Sequence, residues 1–374
     1  MEPFRIEVPE ESLADLRERL ARTRWPQDPA GLGWDRGAPL AHVRDLAARW
    51  LDGYDWRAWE ARLNAWPQLV TEIDGARIHA AHVRSPEPGA LPLLVSHGWP
   101  GSIAEFLQIA GPLADPRAHG GDPADAFHVV LPSLPGFAFS GPTPDTGWTP
   151  RRMAGAFATL MDRLGYDRYG VQGGDWGSAI SRWIGADRPD RVAGVHLNML
   201  SGALPAPGET PDPPLTELEQ ARYEQGREFL RDGAGYYAQQ STRPMTLAYA
   251  LTDSPVGQLA WIAEKFEAWT DTSPDPDWIL THASIYWHTA TAGSSSQIYL
   301  EQVRAGGRGQ QIEVSVPVGL ALFPKELTPP IRRYAERALN IVRWTEMPRG
   351  GHFAAMEQPE LLVDDIRAFF RDLR

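Results

Sequence analysis

The strongest constraint in this chain is the stretch Gly173-Gly174-Asp175-Trp176-Gly177, which follows a short apolar run at 169–172. Small residues on both sides of a central residue permit a sharp strand-to-helix turn, in which other backbone approaches closely and the dihedral angles are unusual. The next segment, 178–186, has the pattern of a helix. Asp175 would then lie at a helix N-terminus, where unpaired N–H groups favour an anion. The stretch predicts an ionised carboxylate at a strand–helix junction.

A carboxylate at this turn has different chemistry from the more usual serine. Serine would indicate esters and amides as substrates, whereas a carboxylate attacks a saturated carbon that carries a leaving group or lies in a strained ring. An alkyl ester on Asp175 results, and epoxides and alkyl halides become the candidate substrates. Two other interpretations stay open for the stretch alone: a glycine-rich turn with a solvated aspartate, and a nucleotide loop, although the G-x-G-x-x-G spacing and a Walker lysine are missing.

The composition excludes several classes of function. The chain has 374 residues, 43% of them hydrophobic, and can bury a sizeable core. No stretch reaches the ~18 uninterrupted apolar residues of a membrane span, and the N-terminus lacks the pattern of a signal peptide. The formal charge of −12 argues against nucleic acid or an anionic membrane as a partner. Without cysteine or an H-E-x-x-H motif, we expect a cytoplasmic protein that needs no cofactor and no metal.

From residue 78 onward, short apolar runs alternate with amphipathic helical stretches, which is typical of a parallel sheet covered on both faces. The predicted strands are 78–83, 91–96, 127–131, 169–172, 192–197, 316–322 and 341–347. Ser102 and Glu105 have the spacing of a capping box, and Thr149-Pro150 predicts another helix start. The last helix is predicted at 359–373. The fold class is therefore α/β, with a mostly parallel central sheet flanked by helices.

Two segments interrupt this alternation. In 1–70, one amphipathic helix at 12–21 precedes a tryptophan-rich, loop-heavy stretch, which we expect to wrap the core as a meander. In 201–309, a proline-rich start leads into helical patterns, which predicts a helical lid. The predicted domains are an N-terminal helix and meander at 1–70, an α/β core at 71–200 and 310–374, and the lid at 201–309.

A helical insertion at this place resembles the α/β-hydrolase fold, in which an acid and then a histidine follow the nucleophile along the chain. Glu326 follows the predicted strand after the lid, and His352 follows the next one. Glu326 would orient His352, which would take a proton from water so that hydroxide attacks the ester of Asp175. The other common place for the acid holds Asn198, whose amide cannot balance an imidazolium charge. This favours Glu326.

Hydrolysis of an ester passes through a tetrahedral anion, which needs backbone N–H donors. The loop at His97-Gly98-Trp99-Pro100 follows the second predicted strand, where one donor is expected. We assign the two oxyanion N–H groups to Trp99 and Trp176. His97 is expected to form local hydrogen bonds that hold this loop.

Several motifs along nearly the whole chain are similar to those of α/β-hydrolase-fold epoxide hydrolases of the microsomal type. They are Phe4-Arg-Ile-Glu-Val-Pro, Arg24-Trp-Pro, His97-Gly-Trp-Pro, Gly173-Gly-Asp-Trp-Gly-Ser, Gly235-Tyr-Tyr, Thr242-Arg-Pro, Glu264-Lys-Phe, Ser295-Ser-Gln-Ile-Tyr and Gly350-Gly-His-Phe-Ala-Ala. The resemblance implies two lid tyrosines that donate hydrogen bonds to the epoxide oxygen, and by motif these are Tyr236 and Tyr299. Tyr237 adjoins Tyr236, so the sequence leaves open which of the two faces the epoxide. The membrane anchor of some family members is not carried over.

The resemblance implies hydrolysis of an epoxide to a vicinal diol, in detoxification or secondary metabolism by analogy. Two alternatives remain: a haloalkane dehalogenase that uses the same aspartate, and a hydrolase-fold receptor that binds a ligand without turnover. The 15 tryptophans favour a bulky apolar or aryl epoxide as the substrate. The sequence leaves a homodimer open.

Overall fold

The computed structural model describes residues 1–27, 33–206, 208–307 and 311–374, and a nine-stranded sheet forms the centre of this part. The strands are β1 (Glu2–Phe4), β2 (Gln68–Ile73), β3 (Ala76–Val83), β4 (Leu91–Ser96), β5 (Phe127–Pro132), β6 (Tyr169–Gly173), β7 (Val192–Leu197), β8 (Val314–Leu322) and β9 (Leu339–Glu346). Their order is β1-β2-β3-β5-β4-β6-β7-β8-β9. The pairs that join β1, β2, β3 and β5 are antiparallel, and those from β5 to β9 are parallel. The predicted α/β class is confirmed.

The order of the strands sets the place of a ligand site. The chain runs from β4 outward to β5 and then returns to β6 on the other side of β4, so the direction of winding reverses between β4 and β6. In open α/β sheets, ligands bind outside the carboxyl ends of the strands at such a point. The loops that begin after Ser96 and Gly173, which are paired neighbours at these ends, meet there.

Helices cover the faces of the sheet. The α-helices of the described residues are Glu10–Ala21, Leu40–Asp52, Trp56–Leu63, Ala110–Ala114, Pro150–Arg163, Asp175–Asp187, Glu217–Glu228, Gly235–Thr242, Pro244–Asp253, Pro255–Trp269, Pro276–His288, Ala292–Ser295, Gln297–Arg304, Arg332–Ala335, Ala354–Glu357 and Pro359–Phe370. In this part of the chain, none of the helices has the length and apolar character needed to cross a bilayer.

The predicted strands and helix starts agree closely with the structure. All seven apolar runs form strands, with ends that differ by at most two residues. Thr149 caps the helix Pro150–Arg163 by accepting a hydrogen bond from the Arg152 N–H. The element after Ser102, however, is a 3-10 helix, Ile103–Gln108, which Ser102 caps through the Ala104 N–H. The last predicted helix ends at Phe370 and continues as a short 3-10 turn.

The description of the N-terminal stretch as loop-heavy was wrong. Its described part contains two further helices, Leu40–Asp52 and Trp56–Leu63, and the strands β1 and β2. In the first of these helices, Val43, Leu46, Ala47 and Trp50 are buried. Their spacing of i, i+3, i+4 and i+7 is that of one helix face. Trp50 thus belongs to an amphipathic helix and not to a loop.

These N-terminal helices are hydrogen-bonded to the helix Pro276–His288, which lies between β7 and β8 in the chain. The Trp50 indole N–H donates to Ser284 Oγ at 2.9 Å, and the Tyr54 hydroxyl pairs with Thr281 Oγ1 at 3.0 Å. Ser12 Oγ lies 2.8 Å from His288 Nδ1. The first 60 residues are therefore attached to the inserted helices as well as to the sheet.

The chain between β7 and β8 contains the helices from Glu217 to Arg304. It is thus helical where the sequence predicts a lid. The predicted end of that lid, residue 309, lies outside the described residues, as does Pro207 in its proline-rich start.

The turn between β6 and the helix Asp175–Asp187 depends on very close backbone contacts. A Cβ atom added to Gly177 would lie 1.9 Å from the Ser96 carbonyl oxygen, and one added to Gly173 would lie 2.3 Å from the Gly177 backbone. Both distances are far below van der Waals contact. The glycines are needed because β4, β6 and the helix start meet here backbone to backbone.

We predict that Gly177→Ala lowers the free energy of unfolding by about 1–3 kcal/mol, since overpacking a rigid site forces the backbone apart. The matched control is Gly155→Ala, in the exposed face of the helix Pro150–Arg163, where an added Cβ meets nothing within 4 Å. That change should stabilise the protein by about 1 kcal/mol, the helix propensity of alanine over glycine. Urea unfolding measures both, and equal effects of the two substitutions would contradict the packing argument.

Candidate active site

Asp175 is the first residue of its helix and has a φ of +47°, a left-handed conformation that is unusual for a residue other than glycine. Its Oδ1 accepts a hydrogen bond of 2.8 Å from the Trp99 backbone N–H. The Gly98 backbone lies directly against the carboxylate, and a Cβ there would be 2.1 Å from Oδ1. One carboxylate oxygen is therefore held by backbone, and Oδ2 is left for other contacts.

His352 and Glu326 extend this arrangement into a buried chain of three residues. His352 Nε2 lies 3.4 Å from Asp175 Oδ2, and its Nδ1 lies 2.8 Å from Glu326 Oε1. The Leu327 N–H donates to the same Glu326 oxygen at 2.7 Å. Both side chains come from loops that follow β8 and β9, so the parallel strands bring them to the same edge as Asp175.

The electrostatics favour the protonated form of His352. Burial lowers the pKa of this imidazole, but the Glu326 carboxylate and then the Asp175 carboxylate outweigh burial, and the pKa lies well above its usual 6.5. Two anions thus share one imidazolium. Among the described residues, no group of three or more histidine, aspartate or glutamate side chains is arranged to hold a metal ion.

Asn198, which the sequence disfavours as the acid, and His97, which it predicts to hold its loop, have local partners. Asn198 Oδ1 accepts a hydrogen bond from Gln172 Nε2 at 2.8 Å. His97 is fully buried, and its Nε2 accepts the Leu134 N–H at 3.2 Å. Burial lowers the pKa of His97 to about 4. A neutral imidazole that holds two loops together is consistent with the structural role predicted for it.

The two predicted oxyanion N–H groups, those of Trp99 and Trp176, differ in their hydrogen bonding. The Trp99 N–H already binds Asp175 Oδ1. Trp176 is the second residue of the helix that starts at Asp175, so its N–H is among the first four, which have no acceptor within the helix. Both amides are thus adjacent to the carbon that would become the tetrahedral centre.

Tyr236 and Tyr299 come from separate helices and meet beside Asp175. The Tyr236 ring is stacked on Trp99, with a centroid distance of 5.2 Å and an interplanar angle of 8°. The Tyr299 ring stands edge-on to Trp176 at 4.8 Å. The two tyrosine rings are 5.9 Å apart, and Tyr237 lies 5.1 Å from Tyr299. Each tyrosine thus packs on one of the residues that carry the expected oxyanion N–H groups.

The Tyr299 hydroxyl is deeply buried, and within the described residues it makes no hydrogen bond of ordinary geometry. The Trp176 indole N–H is close enough to lower the pKa of this phenol somewhat, but burial dominates and raises the pKa well above 10. The phenol is therefore neutral at any physiological pH and keeps its proton available to an acceptor in the site.

Comparison with known proteins identifies the family. Residues 1–106 match the model of the epoxide hydrolase N terminus, and residues 92–293 match that of the alpha/beta hydrolase fold. A Stigmatella aurantiaca protein assigned as an epoxide hydrolase is 46% identical over 379 residues, which cover 100% of this chain and 85% of that one. The chain belongs to the epoxide hydrolase family. Epoxide hydrolase 1 of Sus scrofa, another member, is 35% identical over 98% of this chain and 88% of its own length.

Solved structures of epoxide hydrolases share the fold. That of Aspergillus niger epoxide hydrolase superimposes with a TM-score of 0.90 at 34% identity and covers 100% of this chain and 96% of that chain. Juvenile hormone epoxide hydrolase from the silkworm Bombyx mori has a TM-score of 0.89 at 28% identity, with 100% and 94% coverage. The predicted α/β-hydrolase fold and the predicted family are confirmed.

Two ionisable side chains near the site were not predicted to belong to it. Glu105 has the position of a helix cap in the sequence, yet its side chain lines a cavity with Asp175 and His352. Lys265 is buried beside Glu264, and its ammonium lies 4.7 Å from the Tyr236 ring centroid. The local sequence gives no signal for either contact, because both depend on how distant loops and helices pack.

We predict that the His352 imidazole in the free enzyme titrates well above 6.5 and that Glu326→Gln lowers its pKa, since the amide removes the largest attractive charge. NMR titration of histidine-labelled enzyme measures both values. His282, whose pKa burial lowers to about 3, serves as an internal reference that should not change. An unchanged His352 titration in the variant would contradict the assignment of Glu326 as its partner.

Proposed function

We propose that this enzyme converts an epoxide and water into a vicinal diol through an alkyl ester on Asp175, and that water activated by His352 and Glu326 hydrolyses the ester. The observation that carries the proposal is the arrangement of the carboxylate. One of its oxygens is bound by the Trp99 N–H, the other faces His352, and two buried tyrosines pack on the residues beside it. The names of the relatives support the same reaction class.

In the first step, Asp175 Oδ2 attacks a ring carbon of the epoxide. The new carboxylate oxygen–carbon bond forms as the epoxide carbon–oxygen bond breaks, and the leaving oxygen takes a proton from Tyr236 or Tyr299. The centroids of the two rings lie 5.9 Å apart, and we propose that both hydroxyls donate to the same epoxide oxygen. A phenol suits this task, because it donates a hydrogen bond strongly without losing its proton to water at neutral pH.

In the second step, the charge balance at His352 changes. The ester on Asp175 is neutral, so one of the two anions that raise the pKa of His352 is gone. The imidazolium can then give its proton back to the tyrosine that protonated the epoxide oxygen, and the neutral imidazole acts as a base toward water. Hydroxide adds to the ester carbonyl, the N–H groups of Trp99 and Trp176 stabilise the oxyanion, and the diol oxygen leaves with the proton from His352. Alkylation thus prepares the base for the next step.

One observation favours a second candidate, a haloalkane dehalogenase. The Trp176 indole nitrogen is buried and has no acceptor of ordinary geometry among the described residues, and such an N–H can bind a halide leaving group. The adjacent Tyr299 hydroxyl is the competing feature, because it supplies a proton that an epoxide oxygen needs and a halide does not. A receptor without turnover is disfavoured by the complete set of Asp175, His352 and Glu326.

The surroundings of the carboxylate support a bulky apolar or aryl epoxide as the substrate. Five aromatic rings form a connected cluster: Trp99, Tyr236, Tyr237, Trp269 and Tyr299. The N-terminal tryptophans serve another purpose, since Trp50 and Trp59 pack on the helix Pro276–His288. The domain boundaries at 70, 200 and 309, the cytoplasmic location and the homodimer stay predictions from the sequence.

We predict that His352→Gln accumulates an ester at Asp175. Intact-protein mass spectrometry with aryl epoxides should show the enzyme mass plus the whole epoxide, and peptide mapping should place it on Asp175. The control Asp175→Asn should form no adduct. An adduct that arises only from alkyl halides, without the halogen, would replace the proposal with the dehalogenase, and no adduct from either panel would contradict covalent catalysis.

We predict that Tyr299→Phe and Tyr236→Phe each slow alkylation, and that the double variant loses roughly 10²–10⁴-fold, the usual range for general acid catalysis. Stopped-flow tryptophan fluorescence gives the alkylation rate. Tyr237→Phe is the matched control, and its rate should stay near that of the wild type. If Tyr237→Phe slows alkylation and Tyr236→Phe does not, the acid is Tyr237; unchanged alkylation in the double variant would contradict acid catalysis by tyrosine.

A further inference from the structure

A small internal cavity adjoins the reactive carboxylate. The space open to the centre of a water molecule is about 20 Å³, which is room for a single water. The residues that line it include Ser96, His97, Glu105, Gln172, Asp175, Asn198 and His352, all with polar side chains. Within the described residues, Trp99 is the one member of the aromatic cluster that lines it. The cavity is therefore distinct from the space between the tyrosines.

Two polar atoms in the lining residues lack a partner. Ser96 Oγ and Gln172 Oε1 are buried, and nothing in the described part of the chain forms a hydrogen bond with either. Gln172 Nε2 donates to Asn198, which fixes the orientation of the amide and leaves its oxygen free to accept. Buried polar groups without partners are rare and commonly bind an ordered water. A cavity of this size with these atoms fits that case.

Glu105 is another polar residue in the lining. It lies deep in the protein but keeps some accessible surface, as expected for a side chain that lines an internal space. Its carboxyl group packs against Gly101, where a Cβ would lie 1.6 Å from Oε1. Burial raises the pKa of Glu105 to about 8, with a smaller opposing effect of His352. At neutral pH it is mostly a neutral acid that can donate a hydrogen bond and accept another.

We propose that this cavity holds the water that hydrolyses the ester on Asp175 and that Glu105 is a positioning residue for this water. The inference rests on the proposed function. The alkyl group would occupy the space among the aromatic rings, whereas the cavity accepts only a molecule the size of water. His352 lines the cavity, so a water there can give its proton to the imidazole while its oxygen bonds to the ester carbon. The bond from that carbon to the diol oxygen then breaks, and the proton passes to the diol.

This arrangement lets the nucleophilic water be bound before the substrate arrives. Hydrogen bonds to Glu105, Ser96 Oγ and Gln172 Oε1 would hold this water on the side of Asp175 away from the tyrosines. A water that is already bound there does not have to enter from solvent past the bulky alkyl group on Asp175. The expected signature is an effect on ester hydrolysis that leaves alkylation unaffected.

The test separates the two chemical steps. With styrene oxide as the probe, stopped-flow fluorescence gives the alkylation rate, and quenched-flow mass spectrometry gives the decay of the ester. Glu105→Leu should slow hydrolysis roughly 10- to 100-fold, the range for a misplaced reactant, with alkylation near the wild-type rate. Glu105→Gln should restore most of the hydrolysis rate, because its amide also donates and accepts. Gln108→Leu, in the same 3-10 helix but outside the lining, is the matched control.

A second variant tests the cavity without Glu105. Ser96→Val removes the unpaired Ser96 Oγ and fills part of the cavity. It should therefore slow hydrolysis of the ester but not alkylation. If alkylation and hydrolysis fall together in these variants, or if both variants hydrolyse the ester at the wild-type rate, the water site is wrong while the proposed function stands. If the wild type and His352→Gln form no ester from styrene oxide or a wider epoxide panel, the proposed function itself fails.

Discussion

The contact between backbones at the end of β6 determines the geometry of everything around Asp175. Gly173 and Gly177 allow the helix to begin against the carbonyl of Ser96, and this closeness forces the positive φ of Asp175. The loop after β4 is thereby brought to the carboxylate, so that the Trp99 N–H reaches Oδ1. A wider turn would separate the nucleophile from its backbone donor even if every side chain were unchanged.

Three acidic side chains lie near the His352 imidazole, and each has a different environment. Glu326 is tied to a backbone N–H and to His352 Nδ1, Asp175 has backbone on one oxygen and His352 near the other, and Glu105 is buried in a cavity wall. Burial keeps Glu105 neutral and so avoids a third negative charge next to the nucleophile. The same residue type thus serves to orient in one place and, by our proposal, to bind water in another.

The sequence predicted the sheet, and it predicted that Asp175, Glu326 and His352 come together, for a clear reason. In parallel strands every carboxyl end lies at one edge, so chain order alone brings Asp175, Glu326 and His352 together. Tyr236 and Tyr299 came from motif resemblance, since no local spacing relates two helices that meet only in the folded protein. The helices Leu40–Asp52 and Trp56–Leu63 were missed because their tryptophans were interpreted as loop residues. Glu105 was interpreted as a helix cap from its spacing to Ser102. Its place in the cavity could not be predicted, because it depends on packing against elements more than two hundred residues away.

The attachment of the N-terminal helices to the inserted helices has a mechanical consequence. Trp50, Tyr54 and Ser12 hold the helix Pro276–His288 from outside, and this helix in turn sends Tyr286 inward to donate a hydrogen bond to the Gly101 carbonyl. The first 60 residues therefore hold the inserted helix Pro276–His288 in a fixed position relative to the loop that follows β4. Substrate entry and diol release must therefore either leave this helix in place or break its contacts with the N-terminal residues. Substitutions at those contacts, far from Asp175, can thus limit turnover through the rate at which the site opens.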